Sequence, residues 1–240
     1  MQQSQSPANQ AFILGFFIFL GLASLGFFIT QATLDFKSFE RSVRVKGLSE
    51  REYPADIVIW PIQFVAADNK LTRLYDTIEK NNAKIRAFLL LNGITDEEIS
   101  FSPPMIVDRV ANQYGPQRAE FRYSATQTVT VYSKQVKKVR SLMNKLSELG
   151  KQGIAFTAGD YQSQVNYLFT RLNQIKPAMI AEATTKAREV AQKFAEDSNS
   201  LLGKIKTASQ GRFSISPRDQ NNPHIKKIRV VSTIEYYLSD

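Results

Sequence analysis

The chain has 240 residues, of which 43% are hydrophobic and 22% charged, a composition that argues against wholesale disorder and leaves room for one domain plus an accessory segment. Because it contains no cysteine, disulfide frameworks, thiolate metal sites and cysteine nucleophiles are excluded. The formal net charge of +9 would suit nucleic acid or anionic lipid, but Lys and Arg are interspersed with Asp and Glu, a pattern typical of a solvated surface.

The first element is an apolar segment from Ala11 to Ile29, AFILGFFIFLGLASLGFFI, which carries no charge and no strongly polar side chain. It is long enough to cross the hydrocarbon core of a bilayer as a helix, and an apolar surface on every side favours spanning over burial in a soluble core. The sequence therefore predicts an N-terminal tail over 1–10, a transmembrane signal anchor over 11–32 with the lipid bilayer as its partner, and a linker over 33–41.

Two alternatives stay open for this segment. One is a cleaved signal peptide with a small-residue site at Gly21-Leu22-Ala23, although cleavage there would fall inside the apolar run. The other concerns orientation, because residues 1–10 hold no Lys or Arg whereas residues 37–46 hold four. Taken alone, the positive-inside rule would leave the large domain in the cytoplasm, but a short uncharged N-terminus can be placed on either side.

Apolar periodicity and turn residues predict the elements that follow. Alternation predicts strands over 42–47, 55–66, 99–107, 121–132, 154–169, 204–214 and 226–238. Helical spacing predicts a helix capped by Asp68 or Asn69 and closed by Asn92-Gly93, a helix from Ser133 or Lys134 to Gly150, and a long helix from Asn173 to Leu202. Tyr114-Gly115-Pro116 is a predicted turn, and Pro61 predicts an edge position or a bulge for its strand.

The order strand, helix, strand, strand, helix, strand within this series is that of a ferredoxin-like split unit. We therefore predict the α+β class: one domain over 42–240 with a largely antiparallel sheet, two shorter helices and one long alanine-rich helix.

No known catalytic motif occurs in the chain. It has no glycine-rich phosphate loop, no HExxH, no GxSxG and no recognisable pair of catalytic carboxylates. We assign no catalytic, cofactor-binding or metal-binding residue and expect a protein that is not an enzyme. The single histidine, His224, follows Asn222 and Pro223, which predicts an exposed turn residue. Trp60 is interpreted as a core or sheet-face residue, with ligand stacking as the alternative.

Two dense basic groups and one stripe of small residues can each be interpreted in two ways, as structural or as functional features. The basic groups are Lys134, Lys137, Lys138 and Arg140, followed by Lys226, Lys227 and Arg229. They lack the interleaved aromatics or the fold motif of a nucleic-acid binder, so we expect no nucleic-acid partner. The small stripe is Ala178, Ala181, Ala183, Ala187, Ala191 and Ala195, for which packing on the protein's own sheet is favoured over binding of a partner helix.

One resemblance goes beyond periodicity. Residues 43–56, VRVKGLSEREYPAD, followed by a strand, resemble the opening of the SIMPL-domain family of bacterial envelope proteins. Residues 183–203, ATTKAREVAQKFAEDSNSLLG, resemble the long alanine-rich helix of that family, which ends at a Leu-Gly step before a strand. With the element order, the resemblance covers roughly residues 39–240. Ser49-Glu50-Arg51 stands where a later glycine is usual in the opening motif, which leaves the subfamily open.

The resemblance implies the bacterial periplasm or cell surface, a link to stress tolerance and, in some members, ring-like oligomers, and it carries over no catalytic residue. The first hypothesis is thus a single-pass inner-membrane protein with a periplasmic domain, which forms a homo-oligomer and acts by binding or self-assembly. The alternative is an adaptor subunit of an envelope transport or secretion complex. A third hypothesis is a hydrolase or lipid-binding module whose pocket the sequence does not reveal.

Overall fold

The computed structural model of the protein describes residues 7–38, 41–111, 120–157 and 163–239. Its elements in chain order are α1 (Pro7–Ser38), β1 (Ser42–Pro54), β2 (Ile57–Asp68), α2 (Leu71–Leu91), a 3-10 turn (Asp96–Glu98), β3 (Ile99–Phe101), β4 (Met105–Asp108), β5 (Tyr123–Ser133), α3 (Val136–Met143), α4 (Leu146–Gly150), β6 (Ala155–Phe156), β7 (Asn166–Leu168), α5 (Leu172–Asp197), β8 (Leu201–Gln210), β9 (Ser214–Pro217) and β10 (Ile225–Ser239). Helices and antiparallel sheets occur together, so the predicted α+β class is confirmed.

The chain divides into two compact units. The terminal unit comprises Met1–Ser49, Ala178–Phe213 and Val230–Asp240, and the central unit comprises Glu50–Pro177 and Ser214–Arg229. The region predicted as one domain, residues 42–240, therefore contributes to both units.

Helix α1 contains the apolar segment. A stretch of 19 residues, Leu14–Ala32, has a mean hydropathy of 1.9 and none of it is buried, so α1 is long and apolar enough to cross a membrane. The helix extends beyond the predicted span at both ends, into the predicted tail and linker. The helix continues into the predicted linker because residues 33–38 contain neither proline nor glycine to end it.

The sheet of the terminal unit has β10 between β1 and β8. Strand β8 pairs antiparallel with β10 from Ser232↔Gln210 to Ser239↔Leu201. The two outer strands are also linked to β10 through the carboxylate of Glu235, a residue that is only 9% exposed.

Glu235 accepts hydrogen bonds from both outer strands. Ser42 Oγ donates to its Oε1 over 2.7 Å, and Arg44 Nη2 donates to its Oε2 over 2.8 Å. From β8, Thr207 Oγ1 lies 3.3 Å from Oε2 and Lys206 Nζ lies 3.4 Å from Oε1. These donors, Arg44 first and then Ser42, lower the pKa of Glu235 to about 2, so the carboxylate is charged at neutral pH.

The alanine face of α5 packs in the core of the terminal unit. Ala183, Ala187, Ala191 and Ala195 recur every four residues and are fully buried, whereas Ala178 and Ala181 are exposed. Ala187 and Ala191 cluster with Val45 of β1 and with Ile234 and Tyr236 of β10. The buried alanines of the stripe are therefore packed in the protein's own core, as the favoured interpretation predicts, whereas Ala178 and Ala181 take no part in this packing.

Gly47 of β1 explains why the residues of α5 next to it, Ala183 and Ala187, are small. A Cβ atom at Gly47 would collide with the carbonyl oxygen of Ala183 and would lie 2.5 Å from the amide nitrogen of Ala187. The strand backbone thus touches the helix backbone directly, which only glycine on one side and alanine on the other allow.

The central unit is built on the long antiparallel ladder between β2 and β5. The pairs run from Val58↔Ser133 to Asp68↔Tyr123 without a register shift. Strands β3 and β4 pair with the outer edge of β5, and β6 and β7 pair with the other edge of β2. With α2 and α3 as connections, this is the predicted ferredoxin-like succession of strands and helices.

Alternate residues of β2 and one face of α2 fill the core of this unit. Trp60 is 4% exposed and lies in this core, which confirms its structural interpretation. Its buried neighbours include Ile62, Phe64, Val129, Val131, Leu74, Ile78, Ile85 and Leu89.

Pro61 causes no bulge, and its strand β2 lies inside the sheet. It pairs opposite Thr130 within the regular ladder. On its other side, β7 pairs with residues 57–59 and β6 with residues 64–65, so within the described chain no strand pairs with Pro61 there. Among the described residues Pro61 therefore has a local edge position, one of the two predicted settings, where a missing N–H is tolerated.

Several element boundaries differ from the predicted ones. The N-cap of α2 is Lys70, because Asp68 Oδ1 accepts the N–H of Lys70 over 2.8 Å one residue before the helix. Pro103 and Pro104, which lack an N–H, divide the predicted strand 99–107 into β3 and β4. The predicted turn at Tyr114-Gly115-Pro116 lies outside the described residues.

The second half of the chain differs in the same way. The predicted helix that ends at Gly150 is split into α3 and α4. Within the predicted strand 154–169, the described residues form β6 and β7, and residues 158–162 lie outside the described ranges. Helix α5 ends at Asp197 rather than Leu202. Asn199 has a φ of 52°, and the N–H of Ser200 donates to the carbonyl of Ala195 over 2.8 Å, which closes the helix before β8 begins.

We expect Gly47→Ala to lower the free energy of unfolding of the full chain in detergent by about 3 kcal/mol, because the added methyl group must displace backbone atoms of α5. Denaturant unfolding would measure the change. Gly150→Ala is the matched control, since nothing lies within 4 Å of a Cβ at Gly150. Equal destabilisation by the two variants would contradict the close contact at Gly47.

Candidate functional site: a basic cavity in the central unit

A cavity of about 760 Å³ lies in the central unit where the end of β1, the start of α3 and the start of β10 meet. It is lined by residues 52–55, 134–138, 140, 224 and 225, and is called here the basic cavity. Pockets that hold small molecules usually measure about 300–1,000 Å³. The cavity is thus large enough for a ligand of that class.

Cations dominate the polar lining of the basic cavity. Lys134 and Lys137 are exposed and have no ion-pair partner among the described residues. Lys138 Nζ donates to the carbonyl oxygen of Gly93 over 2.6 Å, so its charge is held in place without a carboxylate. The carboxylate in the lining, Glu52, lies 3.8 Å from Arg218 Nη1. The cavity therefore has an excess of positive charge.

The remaining wall of the cavity is mostly apolar. Val136 and Ala55 are buried, and the half-buried ring of Tyr53 packs against Phe169 with 5.6 Å between the ring centroids. Pro54 and Ile225 complete this wall. The lining therefore offers a ligand both apolar surface and cations.

Arg140 and His224 form the inner polar pair of the cavity. Arg140 Nη1 lies 2.9 Å from His224 Nε2. A guanidinium can only donate, so Nε2 accepts and the neutral imidazole carries its proton on Nδ1. Nδ1 is shielded from solvent and has no hydrogen-bond partner in the described part of the chain. The ring also contacts Tyr167 edge to face, with 6.1 Å between the centroids.

The surroundings of His224 favour its neutral form. Burial lowers its pKa below the usual 6.5, and the positive charges of Arg140 and Arg218 lower it further against the opposing effect of Asp219. Burial likewise raises the pKa of Tyr167 above 10, so the phenol stays protonated. Neither residue provides an anion to offset Arg140.

His224 is therefore not the exposed turn residue that the sequence predicts. It lies in a turn, but it is half-buried, and its carbonyl accepts the N–H of Ala55 over 2.8 Å. The prediction failed because the partners of His224, which are Ala55, Arg140 and Tyr167, are remote in sequence.

A second cavity of about 620 Å³ shares Lys137 and Arg140 with the first. Its other lining residues are mostly polar and include Asn144, Tyr167 and Asn221. Arg140 therefore lies between two cavities of different character.

The second basic group of the sequence does not form a comparable site. Lys227 pairs with Glu50 over 2.7 Å, and Arg229 is exposed. Lys226 is 8% exposed, and burial lowers its pKa. These three residues lie on one strand and line neither described cavity.

The hydrogen bonding of His224 limits the acid–base chemistry open to its ring. His224 Nε2 is engaged by Arg140, and Nδ1 carries the proton and has no partner, so the ring is not poised to activate a nucleophile. No group of three His, Cys, Asp or Glu residues that could hold a metal ion occurs in the described ranges.

One signal in the sequence could have indicated this site. Lys137 and Lys138 lie in the first turn of α3, which holds no acidic residue. The helix dipole disfavours cations at that end, so two lysines there are unfavourable unless an anion compensates them. The basic group was instead interpreted as a solvated face.

A family model described as "SIMPL: Protein of unknown function (DUF541)" matches residues 43–232, which is most of the chain. No protein with a curated description matches the sequence.

We expect NMR titration of the ring signals of His224 to give a pKa below 6.5, and because the chain has one histidine the signals need no assignment. Arg140→Gln should raise this pKa by removing a positive charge, and Arg229→Gln, the same charge change at an exposed site, should leave it unaltered. If the pKa of His224 in the folded chain is below 6.5, the unfolded chain binds the proton of His224 more tightly than the folded chain. The free energy of unfolding therefore falls as the pH drops below 6.5. A pKa at or above 6.5 would contradict a shielded ring.

Proposed function

Since the chain belongs to the SIMPL family, a family of unknown function, we propose that it is a non-catalytic, membrane-anchored protein of the bacterial envelope that acts by binding or self-assembly. In this proposal α1 is an uncleaved anchor in the inner membrane, and residues 42–240 lie in the periplasm and contribute to the response to envelope stress.

The observation that carries the anchor is the exposure of α1. Every side chain described within Leu14–Ala32 is exposed, and the large ones include Phe16, Phe17, Phe27 and Phe28. A continuous apolar surface of this length would be unfavourable in water, and a bilayer removes it from water without a protein partner. The absence of charge within the span supports the same role.

The proposal of binding without catalysis is supported by the basic cavity. Its ionisable groups are cations, a carboxylate near Arg218 and a neutral histidine held by Arg140. Such groups can fix the position of a ligand, but they include no pair set up as nucleophile and base.

The absence of cysteine provides a direct test of the orientation. We expect Lys80→Cys, at an exposed site on α2, to react in cells with a membrane-impermeant maleimide once the outer membrane is permeabilised. Gln3→Cys, on the other side of α1 in sequence, should react only after the inner membrane is lysed. The reverse pattern would place the large domain in the cytoplasm, as the positive-inside rule alone predicts, and would refute a periplasmic role.

Self-assembly is tested by size-exclusion chromatography with light scattering on the full chain in a mild detergent. We expect one discrete oligomer whose mass is a whole multiple of 27.1 kDa after subtraction of the detergent. A clean monomer would contradict self-assembly. It would favour an adaptor role, which copurification of a defined set of envelope proteins would then support.

A further inference from the structure

We propose that the basic cavity binds a small amphiphilic organic anion, with a carboxylate or phosphate group at the cationic residues and an apolar body against the apolar residues of the lining. This inference rests on the proposed function, since it names the ligand of a protein that acts by binding.

The cations of the cavity lack the partners that would normally neutralise them. Lys134, Lys137 and Arg140 lie along one stretch of seven residues, and none of them has a carboxylate within ion-pair distance in the described chain. Because these charges line one cavity, their mutual repulsion favours the binding of an anion there.

The backbone adds to this positive potential. Lys137 and Lys138 occupy the first turn of α3, and no side chain caps that turn. The leading N–H groups of a helix have no intrahelical partner, and their partial charge is positive. An anion bound at the cavity would offset both the lysine charges and the helix dipole.

Arg140 is held ready for a planar anionic group. One of its N–H groups donates to neutral His224, which fixes the guanidinium but leaves its charge uncompensated. Arginine can present two parallel donors to a carboxylate or phosphate. His224 is thereby a positioning residue for Arg140 and need not touch the ligand.

The apolar wall selects against simple inorganic anions. Tyr53, Val136 and Ile225 present carbon to the cavity, and about 760 Å³ is far more than one phosphate needs. Burial of each CH₂ group contributes about 0.8 kcal/mol, which is close to a fourfold gain in affinity. A ligand with an anionic group and an apolar body would contact both the cations and the apolar residues of the basic cavity.

The test measures the binding of radiolabelled butyrate, hexanoate and octanoate to the full chain in neutral phosphatidylcholine nanodiscs by equilibrium dialysis, with empty nanodiscs as background. We expect the affinity to rise about threefold to fourfold per CH₂. Octanamide, the neutral counterpart of octanoate, and inorganic phosphate should each bind at least tenfold more weakly. Equal affinity for octanoate and octanamide, or no binding of octanoate, would refute the proposed ligand class.

Variants locate the binding at the cavity. Lys134→Gln combined with Lys137→Gln should weaken octanoate binding about tenfold and leave octanamide binding unchanged. Lys80→Gln combined with Lys151→Gln makes the same change of charge at exposed positions outside the cavity and should have no effect. The ring signals of His224 should shift with octanoate in the control variant. Similar losses in both double variants would refute the site.

Two further arms separate the possible outcomes. The first is cosedimentation of the full chain with added anionic vesicles. If the Lys134→Gln, Lys137→Gln variant loses cosedimentation and the Lys80→Gln, Lys151→Gln control keeps it, a lipid headgroup is the source of the anion. No cosedimentation would favour a free amphiphile. Chemical conversion of octanoate or its methyl ester would refute the non-catalytic function itself, whereas failure of octanoate to bind refutes only the ligand class and leaves the anchor and assembly tests unaffected.

Discussion

The unbroken ladder between β2 and β5 is the interaction on which the central unit depends. Eleven residue pairs without a register shift fix which side chains of both strands face the helices, because a slip of one residue would turn every one of them to the other face. Trp60, Ile62 and Phe64 then meet α2, and α3 begins directly after β5. The basic cavity follows from this register, since its lysines lie in the first residues after the ladder ends at Ser133.

Elements with strong periodicity could be predicted from the sequence, and boundaries set by distant contacts could not. The helix α2 and the strand β5 have regular patterns of apolar residues and were predicted within a few residues of their ends. The end of α5 was misplaced because the apolar spacing continues to Leu202, whereas the left-handed conformation of Asn199 stops the helix earlier. For Pro61 the sequence predicted either an edge position or a bulge, and the choice between them depends on the pairing of β6 and β7 among the described residues, which no local pattern shows.

Only part of the candidate site could be predicted from the sequence. The basic group around Lys137 is dense enough to notice, but its meaning depends on Tyr53, His224 and Ile225, which come from the ends of two strands far apart in the chain. No periodicity links segments separated by more than eighty residues. What distinguishes this group from an ordinary solvated surface is the cavity that it lines together with Arg140 and His224, and that is a property of the folded chain.

The contacts of Glu235 have a mechanical consequence. If α1 is fixed in a membrane, any pull on the rest of the protein reaches the terminal unit through β1, the strand that follows α1. Ser42 and Arg44 lie at the first residues of β1 and are tied to Glu235 of the central strand, which is tied in turn to Lys206 and Thr207 of β8. A force applied along β1 would thus be distributed over three strands near the first residues of β1. These contacts would oppose the mechanical separation of β1 from the sheet at the end where the force is applied.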